Sequence, residues 1–317
     1  MSSVGLIAHD EFWAEESGAP LLSRNSGFLK QGECAAILER CAKWPALVGV
    51  TDADELPSDA TTRDPSFVRI AACDAERTFV TEGYRTQMRE MLQMLHLRYK
   101  DYHQGLGYLT SFLSLTMGQD AALKTLLHVG SDEKYVPGYW KAFPEAYKRD
   151  SSVYERLLEA RLPEVAAKLQ RSGVVAEAYV SKWFVGNCVH VLPFRALFDF
   201  YEAFLERGYV FLFQFALSLC DTLAEQLLAA DDTDVAGLFA LLRLDRSVYP
   251  DNTEGGDFFV GIVARAADIE VDPAEVLRLR TDEMDKLQLK LVSDRLRMAE
   301  LAADEEEIVF SDDSDED

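Results

Sequence analysis

Apolar side chains recur along most of this chain at the spacing of an α-helix. The clearest example begins near Thr81, where apolar residues fall at i, i+3, i+4, i+7 and i+11 and therefore share one helix face. These residues are Met88, Met91, Leu92, Leu95 and Tyr99. Their positions predict a long helix with one buried side, and the same periodicity returns in several later segments.

Further helices are predicted at residues 34–44, 195–206, 209–229 and 274–301. Ser152 and Glu155 have the spacing of a capping box, which predicts that another helix begins there. Gly173 and Gly208 are placed to end helices, because glycine accepts the backbone conformation that follows a helix C-terminus. Pro163 is expected to kink or divide the helix that contains it.

Alternating runs of β-branched residues are almost absent, and the example at residues 174–180 continues into a helical pattern. The fold class is therefore predicted to be all-α. The segment 51–65 is rich in Asp, Thr, Ser and Pro, which indicates a loop. The apolar run at 210–220 is interrupted by polar residues and is too short to span a bilayer, so it predicts a buried helix.

Charge narrows the range of functions. The chain carries a formal net charge of −23, and no basic cluster offsets it. We expect no nucleic-acid partner, because binding to a phosphate backbone relies on Lys and Arg. Residues 303–317 contain nine acidic side chains and no basic one. Such a block repels itself and buries little, which predicts a disordered tail. Ser311 and Ser314 there are either sites for an acid-directed kinase or simply solvated.

Cysteine and histidine usage adds little chemistry. The five cysteines form no CxxC pair, so buried free thiols in a reducing compartment are expected. The histidines show no metal-ligand spacing, so no metal site is expected. The N-terminus lacks a signal-peptide pattern, and no P-loop or G-x-S-x-G motif is present. The chain is therefore predicted to be soluble and cytoplasmic, without a GTP site of the usual kind.

Two short segments carry candidate chemistry. Arg77 follows Asp74 by three residues, so the two side chains share a face if this stretch is helical. Asp74 would then hold Arg77 by a charge-assisted hydrogen bond. Gln104 stands between Tyr102 and Gly105 in the second segment, and a small residue there would let another backbone approach the glutamine.

An arginine and a glutamine are the two side chains that GTP hydrolysis needs. A guanidinium supplied from outside stabilises the charge that spreads over the phosphoryl oxygens and is worth roughly 10³ to 10⁵ in rate. A carboxamide orients the attacking water, because it donates and accepts hydrogen bonds at once. Arg77 and Gln104 fit this chemistry. Taken alone, however, an Asp-x-x-Arg pair is more often a surface ion pair, and a Gln before Gly is more often a loop residue.

The same segments resemble the motifs of the TBC domain family, the Rab GTPase-activating proteins. The stretch 74–79, DAERTF, resembles the family's IxxDxxR motif, and the stretch 102–105, YHQG, resembles its YxQ motif. Three later segments resemble the family's WF and WD-x-x-x-x-x-G stretches, at residues 182–184, 197–200 and 208–213. The likeness covers about residues 67–230.

This resemblance implies a two-lobed, V-shaped helical domain that acts by a dual-finger mechanism. Arg77 would be the arginine finger and Gln104 the glutamine finger, which replaces the GTPase's own glutamine. Asp74, Tyr102 and Gly105 would support them. The expected partner is a Rab-family small GTPase in its GTP-bound state, which carries the GTP and Mg²⁺, so the chain needs no cofactor of its own. Peripheral recruitment to endomembranes would fit this role.

The sequence departs from the family pattern at several positions. Ala71 stands where the first motif has Ile, with Ile70 one place earlier, and Phe198 stands at the tryptophan of the WD stretch. The family's opening Arg and Trp segment is not evident, and Trp44 is only a loose candidate. These departures leave open a catalytically inactive Rab-binding scaffold as the alternative to a GTPase activator.

The resemblance and the helical pattern divide the chain into four parts. Residues 1–66 are an N-terminal extension or a divergent start of the domain, and residues 67–245 are the TBC-like Rab-GAP domain. Residues 246–302 are a C-terminal helical segment, and residues 303–317 are the acidic tail. We expect removal of the tail to leave turnover unchanged.

Overall fold

The computed structural model describes residues 4–24, 31–56, 64–245, 248–249 and 257–311, with the backbone alone at 23–24 and 298–311. These residues form helices and no β-strand, apart from an isolated antiparallel bridge between Val4 and Met117. The predicted all-α class is confirmed.

Eighteen α-helices lie within the described residues, besides 3₁₀ helices at Leu6–Ala8 and Gln31–Glu33. The first nine are α1 (Asp10–Glu16), α2 (Pro20–Arg24), α3 (Cys34–Cys41), α4 (Trp44–Leu47), α5 (Pro65–Glu76), α6 (Glu82–Tyr99), α7 (Gln104–Thr116), α8 (Gln119–Val129) and α9 (Glu145–Arg161). The others are α10 (Pro163–Arg171), α11 (Ala176–Tyr179), α12 (Ser181–Phe184), α13 (Phe194–Arg207), α14 (Tyr209–Thr222), α15 (Ala224–Ala229), α16 (Val235–Leu242), α17 (Asp257–Ala266) and α18 (Pro273–Ser311).

The buried face of α6 confirms the strongest periodic signal, since its Met and Leu residues at 88, 91, 92 and 95 are all buried. Pro163 divides two helices, as predicted, because it lacks the N–H that a continuous helix requires. Gly208 ends α13 with a φ of 67°, and a Cβ there would lie 1.9 Å from the carbonyl oxygen of Lys134. Only glycine fits that position.

Three helix boundaries differ from the predictions. The capping box at Ser152 is wrong, because α9 begins at Glu145, directly after a proline. The helix predicted for 34–44 ends at Cys41, and Trp44 begins a separate short helix. The helix predicted for 209–229 is interrupted at Leu223. Apolar periodicity does not detect such breaks, because the buried face continues through them.

The chain divides into two compact units, Met1–Val271 and Asp272–Asp317. The second unit consists of α18, whose backbone stays helical to Ser311. Within the predicted tail, residues 303–311 continue the helical backbone of α18, and their Ala and Glu residues are good helix formers. Residues 312–317, including Ser314, lie outside the described part of the chain.

The first unit has an aromatic core that joins its N-terminal and middle helices. Trp44 is fully buried, and its ring lies 5.1 to 6.1 Å from the rings of Phe112, Phe198 and Tyr201. Phe198, at the position where the family pattern has a tryptophan, therefore fills a packing role. Aromatic residues bury large apolar areas, so this cluster ties α4, α7 and α13 together.

Candidate functional site

Arg77 stands at the C-terminus of α5. This helix begins where the side chain of Asp64 caps it, accepting hydrogen bonds from the backbone N–H groups of Ser66 and Phe67 at 2.9 and 3.3 Å. Arg77 is the C-terminal capping residue, and its side chain is exposed. Among the residues that the structure describes, its guanidinium makes no hydrogen bond and no ion pair. All five of its N–H donors are therefore available to a partner.

Gln104 is the first residue of α7, and it is also exposed. The preceding His103 caps this helix, because its Nδ1 accepts a 3.0 Å hydrogen bond from the backbone N–H of Gly105. An imidazole accepts at Nδ1 only when that nitrogen carries no proton. Burial lowers the pKa of His103, which favours this neutral form, although Asp101 and Asp74 act in the opposite direction. The sequence pattern predicted no role for His103, and the structure shows that this residue caps α7.

The carboxylate of Asp74 joins the two motifs. This side chain is only 6% exposed. One of its oxygens accepts a 2.7 Å hydrogen bond from the hydroxyl of Tyr102, and the other accepts a 3.1 Å bond from Nε2 of Gln104. Both motifs therefore meet at one buried carboxylate.

This arrangement corrects the predicted role of Asp74. A charge-assisted hydrogen bond to Arg77 was expected, and no such bond is present. The reason is that Asp74 lies on the buried side of α5, where it faces Tyr102, whereas Arg77 projects into solvent at the helix end. Asp74 thus orients the glutamine and not the arginine.

The Tyr102 hydroxyl remains a donor throughout the accessible pH range. Burial raises its pKa far above the ordinary value, and the adjacent Asp74 charge raises it further. Gly107 leaves room for this bond, since a Cβ at that position would lie 2.8 Å from the Tyr102 hydroxyl oxygen and 3.8 Å from an Asp74 oxygen. The hydrogen bond therefore requires a glycine one turn into α7.

Gly105 permits a second close contact, of the kind expected from the sequence. A Cβ on Gly105 would lie 2.6 Å from the carbonyl oxygen of Val185, which follows α12. The same carbonyl oxygen accepts a 3.2 Å hydrogen bond from the indole N–H of Trp140. The N-terminus of α7 is therefore fixed against two other segments of the unit.

Arg77 and Gln104 come together at the surface. Both line one small depression, whose other lining residues include Asp74, Thr78 and Gly107. Twenty-six residues separate them in sequence, and the pairwise packing of α5, α6 and α7 brings them to the same place. An exposed guanidinium and an exposed carboxamide thus border the same depression. The carboxamide is held by its hydrogen bond to the buried Asp74 carboxylate.

The segment after Arg77 is fixed by Glu16, which the sequence patterns did not single out. Glu16 is fully buried. Its carboxylate accepts hydrogen bonds from the backbone N–H groups of Val80 and Thr81 at 2.7 and 2.6 Å, and from the Thr81 hydroxyl at 2.8 Å. Leu21 adds a backbone hydrogen bond to the Thr78 carbonyl. The N-terminal helices therefore brace the arginine segment.

The sequence patterns also did not identify Arg40. It lies on α3 and makes an ion pair of 2.7 Å with Asp199 and a hydrogen-bonded ion pair of 2.5 Å with Glu202, both on α13. Four residues later, Trp44 enters the aromatic core. Arg40 and Trp44 therefore tie α3 and α4 to α13.

Other site chemistries find little support. Within the described ranges, no group of three or more His, Cys, Asp or Glu side chains is arranged to hold a metal ion. None of the five cysteines, all within the described residues, forms a disulfide, and all except Cys73 are buried. No described helix combines the length and apolar character that crossing a bilayer requires.

Known proteins share this sequence pattern. The sequence model of the Rab-GTPase-TBC domain matches residues 40–228, so the match begins at Arg40. Mouse Carabin is 27% identical over 206 residues, which cover 60% of this chain and 46% of Carabin. Human Growth hormone-regulated TBC protein 1 is 29% identical over 131 residues, which cover 41% of this chain and 38% of that protein. The chain thus matches less than half the length of either relative.

Solved structures share the fold. The Chlamydomonas flagellar RabGAP TBC domain superposes with a TM-score of 0.52 at 15% identity, covering 78% of both chains. The TBC domain of Drosophila Skywalker/TBC1D24 superposes with a TM-score of 0.54 at 13% identity, covering 78% of this chain and 85% of that one. These superpositions establish a common helical fold. At identities this low they say nothing about chemistry, which rests on the residues described above.

Proposed function

Because the chain belongs to the Rab-GTPase-TBC domain family, we propose that it stimulates GTP hydrolysis by a Rab-family small GTPase, with Arg77 and Gln104 as its two fingers. The observation that carries this proposal is their placement. The two exposed side chains border one depression, and the guanidinium of Arg77 makes no hydrogen bond or ion pair among the described residues. The partner is expected to be in its GTP-bound state, with GTP and Mg²⁺ carried by the GTPase.

Arg77 would act on charge. In phosphoryl transfer, negative charge spreads over the oxygens of the transferred group, and protein catalysis consists mainly of positioning and electrostatic stabilisation. A guanidinium offers planar, paired N–H donors that match phosphate oxygens. The free guanidinium of Arg77 meets this need, because it breaks no described ion pair when it moves onto the nucleotide.

Gln104 would orient the attacking water. The Asp74 carboxylate has only acceptor atoms, so the side-chain amide of Gln104 must turn its NH₂ toward it. This leaves Oε1 of Gln104 facing away from Asp74 as an acceptor. A water molecule that donates a hydrogen bond to this oxygen keeps a lone pair of its own oxygen free, and this lone pair would attack the γ-phosphate of GTP. Asp74 and Tyr102 are in this view positioning residues, which set the carboxamide before the GTPase binds.

The test is single-turnover hydrolysis by a panel of GTP-loaded Rab proteins with the wild-type chain, Arg77→Ala and Gln104→Ala. We expect the wild type to accelerate at least one Rab, and Arg77→Ala to lose about 10³-fold or more of that acceleration. Arg69→Ala is the matched control, since Arg69 is an exposed arginine of the same helix. An Arg77→Ala variant as fast as wild type would contradict the finger assignment.

The alternative function is a Rab-binding scaffold without catalysis. Capture of GTP-loaded Rabs by the wild-type chain, with no rate increase for any member of the panel, would support the scaffold and reject the GTPase activator. Both finger residues are present and exposed, and this observation favours the activator.

A further inference from the structure

Phe143 is 84% exposed, more than any other large apolar side chain described in the structure. Single exposed apolar residues are common on protein surfaces and by themselves indicate nothing. Phe143 differs because buried residues anchor its loop on both sides. Tyr139 and Trp140 are 1% and 3% exposed and Pro144 is buried, whereas residues 141–143 are exposed and carry the ring of Phe143 at the surface.

The backbone on both sides of Phe143 is fixed. The N–H of Ala142 donates a 2.9 Å hydrogen bond to the Asp101 carboxylate, and the N–H of Glu145 donates a 2.9 Å bond to the Phe143 carbonyl. Trp140 anchors the loop through its bond to Val185. The backbone of such a loop is held in place before any partner arrives, so docking of the loop costs little backbone entropy.

The same bonds join this loop to the glutamine segment. The Asp101 carboxylate that binds Ala142 also accepts a 2.8 Å hydrogen bond from the N–H of Tyr102, two residues before Gln104. The Val185 carbonyl that binds Trp140 is the atom next to Gly105. Two independent contacts therefore join the loop that carries Phe143 to the segment that carries Gln104.

We propose that Phe143 is a docking anchor, which inserts its ring into an apolar patch beside the nucleotide on the GTPase. This inference rests on the proposed function and names the surface through which the partner is held. The loop that carries Phe143 is hydrogen-bonded to the segment that precedes Gln104, so a partner engaged by Gln104 would lie close to this loop. Aromatic residues are enriched among the few that dominate interface energetics, and an aromatic ring that becomes fully buried in the complex supplies affinity and not chemistry.

The test is steady-state hydrolysis as a function of Rab concentration, on every Rab that the wild-type chain stimulates. Phe143→Ser is expected to raise KM about tenfold and to leave kcat unchanged, because it removes docking area and no finger. Phe143→Leu keeps an apolar side chain and is expected to keep most of the affinity. Leu228→Ser is the matched control, because Leu228 is 41% exposed on α15, a helix that packs on α10 and α14. The KM of this variant should equal that of the wild type.

The outcomes separate the two proposals. A wild-type KM in Phe143→Ser, or a loss confined to kcat, would overturn the docking role and leave the fingers untouched. A wild-type chain that stimulates no Rab would overturn the proposed function itself. Thermal unfolding of Phe143→Ser should match that of the wild type, and Phe143→Gln provides a second truncation of the ring if serine disturbs the loop.

Discussion

The hydroxyl of Tyr102 donates a 2.7 Å hydrogen bond to Asp74, on a carboxylate whose other oxygen receives the side-chain amide of Gln104. This pairing makes the second motif depend on the first. Asp74 is buried, so its oxygens lose their water and need these donors. The orientation of the glutamine is therefore a property of α5, α7 and the turn between α6 and α7 together.

Tyr102→Phe is expected to lower the free energy of unfolding by about 2 kcal/mol, because it leaves an oxygen of a buried carboxylate without its donor. Urea denaturation of the purified variant measures this. Tyr201→Phe is the matched control, since the buried Tyr201 hydroxyl has no hydrogen-bond partner among the described residues. Its removal should be neutral or slightly stabilising. Equal decreases in the free energy of unfolding of the two variants would show that the hydrogen bond to Asp74 does not account for the effect of Tyr102→Phe.

Gly107→Ala is expected to destabilise the chain by about 1 to 3 kcal/mol, because its Cβ would press on the Tyr102 hydroxyl at 2.8 Å. In an ordinary helix the same change is favourable by up to about 1 kcal/mol. Gly261→Ala provides that comparison: Gly261 lies within α17, and a Cβ there would meet no atom within 4 Å. Thermal unfolding of both variants should show shifts of opposite sign. A stabilised Gly107→Ala chain would refute the packing argument.

Much of this site was predictable from sequence, and the remainder depends on tertiary structure. The helical class and the buried face of α6 followed from apolar periodicity, which reports local geometry. The direction of the Asp74 side chain did not follow from the sequence, because an i,i+3 spacing allows a bond to Arg77 but does not require it. Burial decided the matter, since the carboxylate faces inward to Tyr102.

Glu16 and Arg40 illustrate a second limit. Glu16 binds backbone groups 64 and 65 residues away, and Arg40 binds Glu202 at a separation of 162 residues. No periodic pattern or short motif encodes contacts at that range. An acidic residue in a short N-terminal helix and an arginine before a cysteine are individually unremarkable on sequence alone, so only the folded chain reveals what they hold.

Glu16→Ala is expected to lower the free energy of unfolding by about 2 to 4 kcal/mol, because the partly buried N–H groups of Val80 and Thr81 lose their acceptor. Glu15→Ala is the control on the same helix: Glu15 is exposed, and a surface change of this kind should stay within about 0.5 kcal/mol. Chemical denaturation compares the two. Similar values for both variants would mean that the N-terminal helices do not brace the segment after Arg77.

Stability should fall as the pH is lowered through the ordinary titration range of His103. Its folded pKa lies below the ordinary 6.5, mainly because burial disfavours the charged imidazole. Above pH 6.5 the side chain is neutral in both states and caps α7 fully. As the pH falls through 6.5, the unfolded chain binds a proton before the folded chain does, so the free energy of unfolding decreases.

His103→Asn isolates this effect, because asparagine also caps helices and does not titrate in this range. Thermal unfolding of both proteins between about pH 8 and pH 5 is the measurement, and the span brackets the ordinary histidine pKa. The two should have similar stability at the upper end, and the wild type should become the less stable one as its Nδ1 acquires a proton and can no longer accept from Gly105. His96, whose pKa burial also lowers, is present in both chains and cancels in the difference. Parallel stability curves for the two proteins would show that the cap of α7 does not depend on a neutral His103.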